Sequence, residues 1–228
     1  MRRELFAEKL VKRPELIRVR LVGDLSGSMD QEKRHVLKQT FVLLMSSLRE
    51  FNTYLNLTRQ QTKSKLEVDT EAWVFGSDTQ RIKELRGRGS ARLANERATS
   101  MQILDKLDYD LGWTYDEKPL EAIEKTLTQP DRHAIQKQKT LEIIFEITDG
   151  GSSAPKKTRS VVDRLTGLGV VVRAFQIGQV DQSERQVFDE VWNQDRAAGL
   201  GEHVGSDVGR LLPAVTSALN RYLRGVRL

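Results

Sequence analysis

Short apolar stretches at Ile17–Val22, Leu141–Ile147 and Val170–Ile177 are separated by segments whose apolar residues recur every three or four positions. Runs of that length suit strands covered on both faces, and a three-to-four spacing suits amphipathic helices. Their alternation points to an α/β fold built on a parallel sheet. The helix after the first run is the longest. From Asp30 to about Leu55 it carries Leu37, Phe41, Leu44, Leu48, Phe51 and Leu55 on one stripe. Leu66–Phe75 reads as a further strand, ended by Gly76-Ser77-Asp78. Ser153 and Pro155 open a helix with Val161, Val162, Leu165 and Leu168 turned inward, and Gly167 and Gly169 bracket its end. Asp181 and Glu184 form a capping-box start for the next. An edge strand is expected at His203-Val204, and a closing helix from about Asp207 buries Leu211, Val215, Leu219 and Tyr222.

The middle of the chain is less regular. Gln80 to Asp110 is interrupted by Gly87 and Gly89, with a helix expected from about Ala91 to Leu107. Asp116 is expected to cap a short helix reaching Leu127, with Pro119 tolerated in its first turn; the alternative is that it supports a binding site from behind its ligands. Thr128–Lys139, with Pro130, reads as a loop. Residues 17–228 read as one domain, and 1–16 as an N-terminal extension or the tail of a missing domain.

Asp24-Leu25-Ser26-Gly27-Ser28 follows the first apolar run directly, so one carboxylate and two hydroxyls occupy the turn that leaves a strand. Two later pieces lie at comparable boundaries: Thr114 in Gly112-Trp113-Thr114-Tyr115-Asp116, and Asp149 at the end of the strand Leu141–Ile147 and Thr148. Short oxygen-bearing side chains on loops suit a hard divalent cation that takes octahedral oxygen ligands and keeps some of its waters. Other chemistries fare worse. Ser26 stands where a dehalogenase-type phosphotransferase needs its second Asp, and no G-x-S-x-G elbow or G-x-x-x-x-G-K-[ST] phosphate loop is present. His35, His133 and His203 are scattered, so no catalytic constellation is visible. There are no cysteines, which excludes disulfides and thiolate metal sites.

The three pieces, in this order, resemble the metal-ion-dependent adhesion site of von Willebrand factor A (VWA) domains, a D-x-S-x-S motif with a distant Thr and a distant Asp. The resemblance covers roughly Ile17 to Tyr222 and implies a VWA fold: a doubly wound, Rossmann-like, mostly parallel central sheet flanked by helices. It also implies Mg²⁺ or Mn²⁺ held by Asp24, Ser26, Ser28, Thr114 and Asp149. Ser26 and Ser28 would bind through hydroxyls, Thr114 would bind directly when a ligand is engaged, and both aspartates would act largely through water. A carboxylate from a protein partner would then complete the coordination. Many family members have a small residue before this Thr. Trp113 departs from that pattern, either as core or as a wall of the site's mouth.

Such a module would bind rather than catalyse. Intracellular members of the family often work beside AAA+ ATPases, which makes an AAA+ partner the first expectation. An RNA-associated protein like the Ro autoantigen, or a non-catalytic metal-chelatase subunit, is the alternative. The formal charge of +5 permits nucleic-acid contact without demanding it. Arg81, Lys83, Arg86, Arg88, Arg92 and Arg97 make one basic segment, and Arg210, Arg221 and Arg224 another, but the first lacks aromatic residues for base stacking and the aromatic residue of the second, Tyr222, is expected in the core. No apolar run approaches the ~20 residues that span a bilayer. The N-terminus has no continuous apolar stretch of the signal-peptide kind, so a cytoplasmic location is expected.

Overall fold

Strand β1 (Leu16–Asp24) alternates between two apolar environments, and this alternation organises the molecule. Ile17, Val19 and Leu21 face a core shared with helices α1 (Gln31–Thr62) and α6 (Leu211–Arg224), through Leu37, Phe41, Leu211 and Val215 among others. Val22 belongs to a second core on the opposite face. There it packs with Leu120 and Ile123 of α2 (Glu117–Thr126), Val161 and Leu165 of α4 (Pro155–Gly167), and Phe188 and Trp192 of α5 (Gln182–Trp192). A sheet apolar on both faces needs a helix layer on each, and the result is three layers.

The computed structural model describes residues 14–62, 65–85, 107 and 111–224. They form a six-stranded sheet in the order β3-β2-β1-β4-β5-β6, with β2 at Glu67–Phe75, β3 at Thr79–Lys83, β4 at Thr140–Thr148, β5 at Val171–Ile177 and β6 at Gly201–Gly205. All neighbours pair in parallel except β2 and β3. From β1 the chain moves outward to β2 on one side and later returns to β4 on the other. The loops leaving β1 and β4 therefore diverge and open a crevice at the carboxyl ends of these strands, the usual ligand position in open α/β sheets. Asp24 is the last residue of β1, and Asp149 follows β4 directly.

Several expectations change. Gly76-Ser77-Asp78 ends β2 as expected, but the turn leads into a strand the spacing did not indicate, β3, where Arg81 and Lys83 lie. Thr128–Lys139 is not a loop: it holds α3 (Gln129–Gln136). A reciprocal capping box between Thr128 and Asp131 starts that helix, Pro130 sits in its first turn, and Ile135 anchors it in the second core. Pro130 does not break the helix, because a first-turn proline removes only an N–H that has no helical partner. Asp116 precedes α2 but makes no capping hydrogen bond with its side chain. The Ala91–Leu107 helix lies outside the described residues apart from buried Leu107, as do Arg86, Arg88, Arg92, Arg97 and residues 1–13. Among the described residues, no helix is long and apolar enough to cross a membrane.

The second core also holds charge. Arg20 is 1% exposed and donates from Nε to Glu142, and from Nη1 to Glu71 and to Thr126 Oγ1 (3.1 Å). Arg18 and Arg81 stand 3.6 Å from the outer oxygens of Glu142 and Glu71. Glu146, four residues further along β4, has no such partner. It is fully buried between Val22 and Ala174 of the neighbouring strands, and neither carboxylate oxygen finds a hydrogen bond. Burial, reinforced by the Asp116, Asp24 and Glu117 carboxylates, pushes its pKa well above the usual range.

The folded protein thus keeps a proton that the unfolded chain releases above about pH 4.3. Stability from this group is complete below that pH and is lost as pH rises toward the folded value. Glu146→Gln should therefore flatten the decline in urea stability above about pH 5. Parallel pH profiles for wild type and variant would show that Glu146 is ionised in the fold.

Candidate metal centre

The loop after β1 is held by alternate burial. Leu25 and Met29 are 0% and 1% exposed and join the α1-side core, while Gly27 and Ser28 between them face solvent. Pinned at both ends, the loop turns its polar side chains toward the crevice. Asp24 is fully buried; its Oδ1 accepts from the Ser26 amide at 2.7 Å and its Oδ2 from Thr148 Oγ1 at 2.6 Å. Ser26 Oγ and Ser28 Oγ are 3.0 Å apart, and Ser28 Oγ donates to Asp149 Oδ1 at 2.7 Å. A continuous chain of hydrogen bonds therefore joins Asp24, Ser26, Ser28 and Asp149.

Thr114 reaches the site by backbone. Its loop is strapped to the β1 turn by Gly27 N–H to the Gly112 carbonyl (2.8 Å) and Leu111 N–H to the Leu25 carbonyl (2.7 Å). Gly76 permits this crossing, because a Cβ there would lie 2.3 Å from Leu111 Cβ. The Thr114 carbonyl accepts from the Ser153 amide (2.9 Å), which ties the same loop to the segment after β4. Its hydroxyl makes no hydrogen bond to the other four residues. Trp113 is not core: it is 71% exposed beside Thr114.

Asp116, expected as a helix cap, is instead buried at 2% exposure, and its Oδ1 accepts from Ser152 (2.5 Å) and Thr158 (2.8 Å). Burial raises its pKa to about 7, against those two hydroxyls. Burial likewise raises Asp24 to about 6, opposed by hydrogen bonds from Thr148 and Ser26 and reinforced by Asp149. Carboxyls that resist ionisation next to a second carboxylate mark a place where added positive charge is favoured.

The residues fit a small hard cation. The Ser26–Ser28 oxygen separation of 3.0 Å matches the edge of an octahedron with metal–oxygen bonds of about 2.1 Å, about 3.0 Å. Among the described residues no group of three or more His, Cys, Asp or Glu side chains could hold an ion. A metal here would depend on hydroxyl donors, as magnesium-type ions accept and softer ions favour less. Two residues of the site carry no motif signal: Thr148, which fixes Asp24, and Lys33, whose Nζ donates to Asp149 Oδ2 at 2.7 Å. His203 is bonded to Gln176 and Asp189 and makes no hydrogen bond to the five motif residues.

No family model matches the chain. An uncharacterized protein of Treponema pallidum (strain Nichols) is 28% identical over 221 residues, 95% of this chain; the chain spans 37% of that relative's length. Among solved structures, a von Willebrand factor type A protein from Catenulispora acidiphila superposes with a TM-score of 0.57 at 14% identity, over 90% of this chain and 42% of the other. Proximal thread matrix protein 1 from the mussel byssus, with zinc in its metal-ion-dependent adhesion motif, gives 0.59 at 13%, over 93% and 47%. Manganese-loaded TRAP protein of Plasmodium vivax gives 0.54 at 18%, over 90% and 73%. Together with the sheet order, these likenesses establish the VWA fold for this chain.

Proposed function

We propose that this domain is a protein-interaction module that binds one divalent cation, Mg²⁺ or Mn²⁺, and engages an acidic side chain of a partner through it. The observation that carries this reading is the hydrogen-bonded chain of Asp24, Ser26, Ser28 and Asp149 at the point where the sheet changes direction. The zinc and manganese bound by two proteins of the same fold support it. Ser26 and Ser28 would hold the ion by their hydroxyls, Asp24 and Asp149 would supply negative charge through water, and Thr114 would join when a ligand is engaged. When bound, the cation supplies an electrophilic position that favours a hard anionic oxygen. Trp113, exposed at the rim, offers an apolar surface to whatever carries that carboxylate. No nucleophile or base takes part, so the activity proposed is binding, not turnover. An AAA+ ATPase in the cytoplasm is the partner class proposed first, on the resemblance alone.

The reading is tested with acetate as the carboxylate probe. Protein-bound Mn²⁺ should broaden the acetate methyl resonance more than free Mn²⁺ does. Thr114→Ala should weaken acetate binding by several-fold while changing Mn²⁺ affinity by less. Bound Mn²⁺ that leaves acetate unaffected would refute carboxylate capture.

A further inference from the structure

One cation already belongs to this site. Lys33, in the first turn of α1, reaches back so that its Nζ donates to Asp149 Oδ2 at 2.7 Å and to the Ser28 carbonyl at 3.0 Å. Ser28 Oγ holds the other Asp149 oxygen, so both are engaged. The pair is shielded: the Lys33 side chain is 17% exposed and that of Asp149 is 1%. A second carboxylate, Asp30, stands 3.8 Å from the same ammonium but is largely in solvent.

Two separate elements fix this arrangement. Asp30 Oδ1 accepts from the Lys33 amide at 2.9 Å and starts the helix, which points the side chain back across its own N-terminus. The stem then passes over Gly178, in the turn after β5. A Cβ at Gly178 would lie 2.6 Å from Lys33 Cε, and its φ of +88° is one that glycine adopts without strain. The fold leaves a channel for the lysine at a position 145 residues away in sequence (178 − 33).

We propose that Lys33 is a built-in counter-cation that weakens metal binding and strengthens the loaded site's preference for an anionic ligand. The inference rests on the proposed function and adds to it a residue that the adhesion motif does not contain. An ammonium and a divalent ion draw on the same Asp149 carboxylate and repel each other, so Lys33 opposes loading. Once the site is loaded the charges decide the ligand. Counting the shielded groups and leaving out Asp30, whose charge is screened by solvent, two ionised aspartates, one lysine and one divalent ion sum to +1, whereas without the lysine they sum to zero. A site of net +1 in a low-dielectric crevice attracts an external carboxylate. A neutral one has only the coordination bond to offer. The lysine thus exchanges metal affinity for ligand selectivity, and it holds Asp149 in place before any metal arrives.

Lys33→Met, with Lys33→Gln as a second variant, is made in the full chain and checked for folding by circular dichroism. Calorimetric titration should show Mn²⁺ binding on the order of tenfold tighter in both variants than in wild type. At saturating Mn²⁺, acetate should bind several-fold more weakly to the variants, read by methyl line broadening. A lysine with a purely structural role would move these two affinities in the same direction; the proposal requires opposite directions. Folded variants that bind Mn²⁺ no more tightly than wild type overturn the inference alone. Wild type that binds no Mn²⁺ overturns the proposed function and this inference together.

Discussion

Replacing Arg20 with Met is expected to destabilise the fold by about 3–5 kcal/mol, because it leaves Glu71 and Glu142 buried without their common partner. Arg20 is itself costly to bury: burial lowers its pKa, yet attraction to Glu142 and Glu71 more than offsets this and leaves it raised. Glu142 is raised by burial despite Arg20 and Arg18, so at this carboxyl burial outweighs the attraction. Arg18 and Arg81, each at 3.6 Å, are too distant to take over the lost hydrogen bonds. Replacing Arg20, Glu71 and Glu142 together by apolar residues of similar volume should recover most of the loss, since removing a whole buried cluster costs far less than orphaning part of it. Urea denaturation of the single and triple variants measures both. A loss under about 1 kcal/mol in the single variant would mean that solvent or the flanking arginines compensate for it.

Asp24→Asn should reduce Mn²⁺ affinity on the order of 100-fold, by removing one of two negative charges while keeping the side chain's shape. The metal-free protein should behave in the opposite sense. Burial raises Asp24 to about 6, so the stability linked to this group is complete below its unfolded value, about 3.9, and is lost as pH rises through about 6. Asn carries no such penalty and still offers an acceptor to the Ser26 amide. Above pH 6 the variant should therefore melt at or above wild type in chelator, and below it in saturating Mn²⁺. Calorimetry and paired melting curves decide this. Equal Mn²⁺ affinity in the two proteins would remove Asp24 from the site.

Much of the architecture is readable from spacing alone. Parallel strands covered on both faces have to be apolar, and long core-facing helices have to repeat at three and four residues, so the sequence itself marks out β1, β4, β5, α1, α4 and α5. Elements with few apolar residues leave no such mark. β3 carries Gln80, Arg81 and Lys83 and needs only Ile82 buried, because it is an edge strand with one exposed face. α3 shows its start only through the Thr128–Asp131 box and buries a single residue, Ile135. The charged cluster is hidden for another reason. Arg20 lies inside a stretch that reads as apolar, and its partners are 51 and 122 residues away.

The candidate site divides in the same way. Asp24, Ser26, Ser28 and Asp149 stand out by motif, and the fold brings them into one hydrogen-bonded chain. Lys33 gives no signal, since its target is 116 residues distant and its path depends on Gly178. Thr148 and Ser152 are recognisable only as hydroxyls close to a strand end, and Thr158 only as one near a helix start, which many proteins have. Asp116 misleads because Asp before a helix is a common cap, whereas here burial turns the carboxyl inward toward Ser152 and Thr158.

The most direct test is a crystal structure of the protein grown with Mn²⁺, with anomalous differences measured at the manganese edge. We expect one strong peak in the crevice, about 2.1–2.2 Å from both Ser26 Oγ and Ser28 Oγ, with Asp24 and Asp149 linked to it through water. A saturated crystal with manganese bound elsewhere, or with no peak between the two serines, would contradict a metal-dependent site at the end of β1.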